Sequence, residues 1–119
     1  MTQAKINKTF DLENRTFKFA ADIRLYVKKL SKSEQYSNDI QQLIRSSGSV
    51  GANYIEANEA LSKKDFYMRI KICRKEAKES IYWLRLLSSN STENLLDPLI
   101  DEATQLMKIF GSIVSNYQS

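Results

Sequence analysis

The chain has 119 residues, enough for one hydrophobic core and too few for two domains. Apolar residues make up 42% of it, three Gly and one Pro leave little turn chemistry, and histidine is absent. Disorder, an all-β sandwich and every His-dependent catalytic or metal motif are thereby excluded, while a net charge of +4 permits a polyanionic partner without requiring one.

Four amphipathic segments follow, after a short N-terminus (residues 1–10) expected to be flexible. Asp11 is placed to cap a first helix running to about Ser31. Within it Leu12, Thr16, Phe19, Ile23, Tyr26 and Leu30 recur at alternating intervals of four and three, a narrow stripe facing a core. Lys32-Ser33-Glu34-Gln35 reads as a short connection. The second helix runs from about Ser37 to Ala60, with Ile40, Leu43, Ile44, Val50, Tyr54 and Ile55, then Leu61, as its larger apolar groups. Its middle, Arg45 to Glu56, is a run of small residues holding Gly48 and Gly51. Each glycine costs a helix about 1 kcal/mol relative to Ala, a cost accepted where a neighbouring backbone comes close. A tight helix–helix seam is expected there. A phosphate-cradling loop is not, because the Gly-Lys-Ser/Thr ending and a preceding strand are both missing.

Ser62 caps the third helix, with Asp65 as a shorter stand-in for the capping-box Glu. Phe66, Ile70, Cys73, Ala77, Ile81, Leu84 and Leu87 form its apolar stripe. Ser88-Ser89-Asn90-Ser91-Thr92 is a polar break, and Pro98 fits the first turn of a fourth helix. Leu96, Leu99, Ala103, Leu106, Phe110, Ile113 and Tyr117 follow three-four spacing there. Four such helices joined by short loops predict an all-α, antiparallel up-down-up-down four-helix bundle as a single domain over 1–119. If the second and third helices turn back near Leu61 and Ser62, Arg45 lies near Lys78 and Glu79. Gly48 to Gly51 then lie near Ile72 to Lys75, and Arg45 is expected to contact Glu79 or Glu76.

Several of these positions resemble a known family. Arg15-Thr16 with Phe19-Ala20, Arg45-Ser46, Gly51-Ala52-Asn53, Glu56-Ala57, Ser62 with Asp65-Phe66, and Lys75-Glu76-Ala77 with Glu79 and Trp83-Leu84 occur in order over about residues 10–90. They are similar to the four-helix-bundle proteins encoded in intervening sequences of bacterial 23S rRNA genes. Gly48 departs from that pattern, where Thr or another small non-glycine residue is expected. The resemblance implies ring-forming homo-oligomers, typically pentamers. Relatives among retroelement accessory variability proteins contact RNA and a reverse transcriptase.

Charge concentrates on the third helix, where eight cations from Lys63 to Arg85 oppose Asp65, Glu76 and Glu79. Lys64, Lys71, Lys78 and Arg85 recur every seven residues, with Arg74, Lys75, Tyr67 and Tyr82 on the same side. A basic ridge of about 30 Å suits a row of phosphates, and tyrosines can stack on unpaired bases. These eight residues are the candidate nucleic-acid-binding set, RNA favoured. Two other readings stay open: a merely solvated face, or pairing with the acidic fourth helix (Glu93, Asp97, Asp101 and Glu102), within the chain or between subunits. Phe17, Val27, Ile72, Trp83, Leu86 and Ile109 lie beside the main stripes, more apolar surface than a small bundle buries.

Cys73, between Ile70 and Ala77, reads as a core residue and not a nucleophile. Glu56, Glu59, Glu76 and Glu79 read as structural ion-pair partners, so no metal, cofactor or catalytic residue is expected. No apolar run approaches the ~20 residues that span a bilayer. Met1 to Lys8 lacks the apolar centre of a signal peptide, and the lone cysteine fits a reducing compartment. The expectation is a cytoplasmic, non-enzymatic homo-oligomer with no membrane partner that binds nucleic acid. The alternative is a protein-interaction scaffold whose third helix docks an acidic protein.

Overall fold

The three-four spacings resolve into four helices in the computed structural model, which describes residues 3–30, 36–89 and 94–118, with side chains for 11–30, 36–89 and 94–117. They are α1 (Gln3–Lys29), α2 (Ser37–Asn58), α3 (Lys63–Ser88) and α4 (Asp97–Gln118). Among the described residues there is no strand. Ser31, the connection Lys32 to Gln35, and Asn90 to Glu93 lie outside the described residues.

α1 starts at Gln3, so Asp11 stands inside the helix and does not cap it. The reason is local: no Gly or Pro between Ala4 and Phe10 stops the helix from extending backwards. Ser62 does cap α3. Its backbone is extended, and its Oγ accepts a 3.1 Å hydrogen bond from the Asp65 amide, one half of a capping box. Pro98 occupies the second position of α4, where its missing N–H interrupts no intrahelical bond.

The core draws on every helix. Phe19 and Ile23 of α1, Leu43 and Val50 of α2, Ile70 and Leu84 of α3, and Leu106 and Phe110 of α4 are almost wholly buried. Each such side chain contributes about 1.5–3 kcal/mol on leaving water. Tyr54 and Phe110 tilt against each other with ring centroids 5.9 Å apart. The serines missed by hydropathy are also inside. Ser46 of α2 and Ser80 of α3 are fully buried with their hydroxyls 2.9 Å apart, and each also reaches a carbonyl of its own helix. Ile55 and Leu61, by contrast, are exposed, Leu61 at 99%.

Arg45 contacts both Glu76 and Glu79, and Asn53 accepts a 3.0 Å hydrogen bond from Arg69. Residues further along α2 therefore meet residues nearer the start of α3, in the register expected from the turn at Leu61 and Ser62.

The glycine seam exists, but its partner is α1 and not α3. A Cβ on Gly51 would stand 3.0 Å from Thr16 Oγ1 and 3.6 Å from the Thr16 carbonyl carbon. Gly51 lies about 140° round the helix from Ser46, so one flank of α2 approaches α1 while the other meets α3. Gly48 makes room for the Arg24 guanidinium, which donates to the Ile44 carbonyl at 3.2 Å.

The two glycines predict opposite outcomes. Thr16 is held by hydrogen bonds to the Leu12 and Glu13 carbonyls and is 1% exposed, so it cannot yield. Gly51→Ala therefore destabilises by about 1 kcal/mol, overpacking outweighing helix propensity. Gly48→Ala displaces only the flexible end of Arg24, and stability stays level or rises. Thermal melts of the two variants check this, and Thr16→Ala in the Gly51→Ala background is expected to restore the loss.

Candidate nucleic-acid interface

The rotation of α3 is fixed from α2. Arg45 forks between two carboxylates of α3, donating to Glu76 at 3.0 Å and to Glu79, while its Nε bonds Gln42. Glu76 is buried and Glu79 half-buried. Trp83 adds an indole N–H bond to Glu79 at 2.9 Å. Burial works against the Glu79 charge, but the Trp83 and Arg45 hydrogen bonds and the charges of Arg45 and Lys75 outweigh it and hold the carboxyl below its ordinary 4.5. Arg45 shifts the opposite way, upward: burial opposes its charge, and Glu79 and Glu76 together prevail.

With Glu76 and Ser80 turned to α2, the seven-residue series turns outward. Lys64, Lys71, Arg74, Lys75, Lys78 and Arg85 are all exposed. Among the described residues none of the six forms an ion pair. The stem and guanidinium of Arg74 lie over Gly111 of α4, so this cation sits at the α3–α4 edge of the ridge. The two tyrosines part company. Tyr67 is half-buried, stacked on Tyr117 with centroids 4.4 Å apart and edge-on to Phe66, so its ring is already occupied. Tyr82 is 57% exposed and touches only the edge of Trp83 among the described rings. Seven of the eight candidates thus share one open stripe, and Tyr67 is drawn into packing instead. Sequence spacing places a residue on a face but cannot show that a ring from another helix covers it.

Among the described residues, ion pairs with α4 do not neutralise the ridge. Glu102 of α4 turns to α1, where Arg15 grips it with bonds of 2.8 and 3.0 Å and also reaches Gln105 at 2.9 Å. Of the apolar residues beside the stripes, Val27, Trp83 and Ile109 pack against the core, and Ile72 is half-buried. Phe17 and Leu86 remain exposed, joined by Leu61 and Met68. Leu61, Met68 and Ile72 border a groove of about 520 Å³ with Glu56, Glu59 and Asp65, a surface that sequence reasoning did not pick out. Cys73 is fully buried, and burial pushes its thiol up to about 12. Among the described residues, no three Cys, Asp or Glu side chains cluster closely enough to hold a metal ion, and no helix is long and apolar enough to cross a membrane.

A family model described as 23S rRNA-intervening sequence protein matches residues 8–112. The chain belongs to the 23S rRNA-intervening sequence protein family. It is also similar to a crystal structure at 1.70 Å of a protein of unknown function from the S23 ribosomal protein family of Bacteroides thetaiotaomicron VPI-5482. The two share 31% identity and a TM-score of 0.82, covering 91% of this chain and 98% of that one. No curated protein matches the chain.

In this intervening-sequence protein the residues that carry the resemblance mostly build the scaffold. Arg15 holds α4, Thr16 and Gly51 form the α1–α2 seam, Asn53 holds Arg69, and Ser62 caps α3. Arg45, Glu76, Glu79 and Trp83 form the clamp described above. Of the six ridge cations, only Lys75 belongs to those motifs.

The clamp predicts two measurable effects. Arg45→Met leaves the buried Glu76 carboxylate without its counter-charge and destabilises by about 1–3 kcal/mol, whereas Glu76→Gln loses less. Because the Glu79 carboxyl is depressed on folding, its stabilisation is complete above 4.5 and is lost as pH falls through the lowered value. Thermal midpoints measured from about pH 5 down to about pH 3 should fall more steeply for the native chain than for Glu79→Gln.

Proposed function

We propose that this chain is a non-enzymatic, cytoplasmic helical-bundle protein that binds nucleic acid, RNA in preference to DNA, through Lys64, Lys71, Arg74, Lys75, Lys78 and Arg85. The bundle runs up-down-up-down with antiparallel neighbours, and copies associate into a homo-oligomer, with the pentamer that the resemblance implies. The binding is electrostatic and needs no cofactor or metal.

The observation that carries this reading is the exposure of six cations along one stripe of α3 with no ion-pair partner among the described residues. Like charges so placed repel one another, and a polyanion relieves that repulsion while releasing its own condensed counterions. The internal alternative is weakened because, among the described residues, the one acid of α4 in an ion pair, Glu102, is committed to Arg15 of α1. The family description, tied to 23S rRNA, favours RNA. Exposed Phe17, Leu61, Met68 and Leu86 supply apolar surface for association between copies.

The combined variant Lys71→Glu, Lys75→Glu and Lys78→Glu tests the assignment. Retention of RNA in gel shifts is expected to weaken at least about tenfold. Helical circular dichroism and the mass from light scattering should stay unchanged. Lost assembly would make the ridge an interface between copies. Unchanged RNA retention would remove it from binding altogether and favour the scaffold reading, in which α3 docks an acidic protein.

A further inference from the structure

Resting on the ridge as the binding surface, we propose that Tyr82 is a stacking station for one unpaired nucleobase, so that the ridge selects RNA carrying a bulged or looped-out nucleotide over a continuous duplex. The sequence offers two tyrosines on the stripe, and the structure separates them. Tyr67 is sandwiched into its own helix pair by Tyr117 and Phe66. Tyr82 keeps more than half its surface in solvent although it is a large ring on a folded helix.

Its surroundings suit a base. Tyr82, Arg85, Leu86 and Ser89 line a surface groove of about 280 Å³. That volume has room for a single planar ring system. Trp83 presses edge-on against Tyr82, with centroids 5.1 Å apart and planes at 76°, and is itself hydrogen-bonded to Glu79. The Tyr82 ring is therefore backed by a side chain that the Arg45 clamp holds in place. Leu86 offers an apolar floor and Arg85 a guanidinium able to lie against the other face of a base. Lys78 lies one helical turn before Tyr82 and Lys75 two turns before it, about 6 and 10 Å along the axis. Phosphates flanking a flipped nucleotide then meet cations without the base leaving the groove. A fully paired duplex, with its bases stacked inside, leaves this groove empty and gains only the ridge contacts.

An RNA hairpin with a single bulged 2-aminopurine tests the proposal beside a hairpin with the same base fully paired. Anisotropy reports binding, and 2-aminopurine fluorescence reports stacking. The native protein is expected to bind the bulged hairpin about tenfold more tightly and to quench its fluorescence. Tyr82→Phe keeps both effects and Tyr82→Leu loses both while still binding the paired hairpin. Tyr67→Leu keeps the quenching and melts at a lower temperature. A deoxyribose hairpin of the same sequence shows whether the sugar contributes; quenching there still supports a base-stacking site. Equal binding of both hairpins with no quenching overturns the Tyr82 station and leaves the ridge standing. Failure to bind either hairpin at low salt overturns both.

Discussion

The fork of Arg45 between Glu76 and Glu79 is the contact on which the rest of the arrangement depends. One guanidinium on α2 fixes two carboxylates one turn apart on α3, and so fixes both the register and the rotation of that helix. The Ser46–Ser80 hydroxyl pair and the Arg69–Asn53 bond lie on the same flank and agree with it. Because a helix advances about 100° per residue, turning Glu76 to α2 turns Lys78 and Arg74 about 200° away. The ridge is thus a consequence of the clamp.

α2 accordingly works as the central staple of the bundle. Its small residues let two helices approach on different flanks, Gly51 against Thr16 on one side and Ser46 against Ser80 on the other. Burying hydroxyls is tolerable only because each has a partner, and among the described residues no buried side-chain nitrogen or oxygen lacks one. The polar contacts specify which helix meets which, while Phe19, Leu43, Ile70 and Phe110 supply the apolar burial. The motif residues mostly hold the scaffold, and of the six exposed cations only Lys75 is among them.

Much of this was legible in the chain. Three-four spacing of apolar residues marked all four helices, and the turn at Leu61 and Ser62 was enough to bring Arg45 to Glu76 and Glu79. The Ser62 cap and the place of Pro98 followed from local stereochemistry. What was not legible depends on tertiary choice. Glycine announces a close approach but not the partner, so the seam expected against α3 formed against α1. Asp11 is a competent cap only where a helix begins, and nothing upstream stops α1 before Gln3. The spacing leaves the partner of Glu102 open, and the fold shows that Arg15 of α1 takes it. Tyr67 and Tyr82 lie about 60° apart on the basic side of the helical wheel; what separates their fates is Tyr117, a residue fifty positions further along the chain.

The most direct measurement on the central claim is the affinity of the native protein for a structured RNA, followed by fluorescence anisotropy across a salt series. Cations that lie free along α3 must release counterions when they meet phosphates. The logarithm of the affinity should therefore fall linearly with the logarithm of salt, by roughly 0.7–0.9 per phosphate engaged, and so by several in all for the ridge. A flat salt dependence, or no binding even at low salt, would contradict the account and leave a helical scaffold whose basic face serves some other contact.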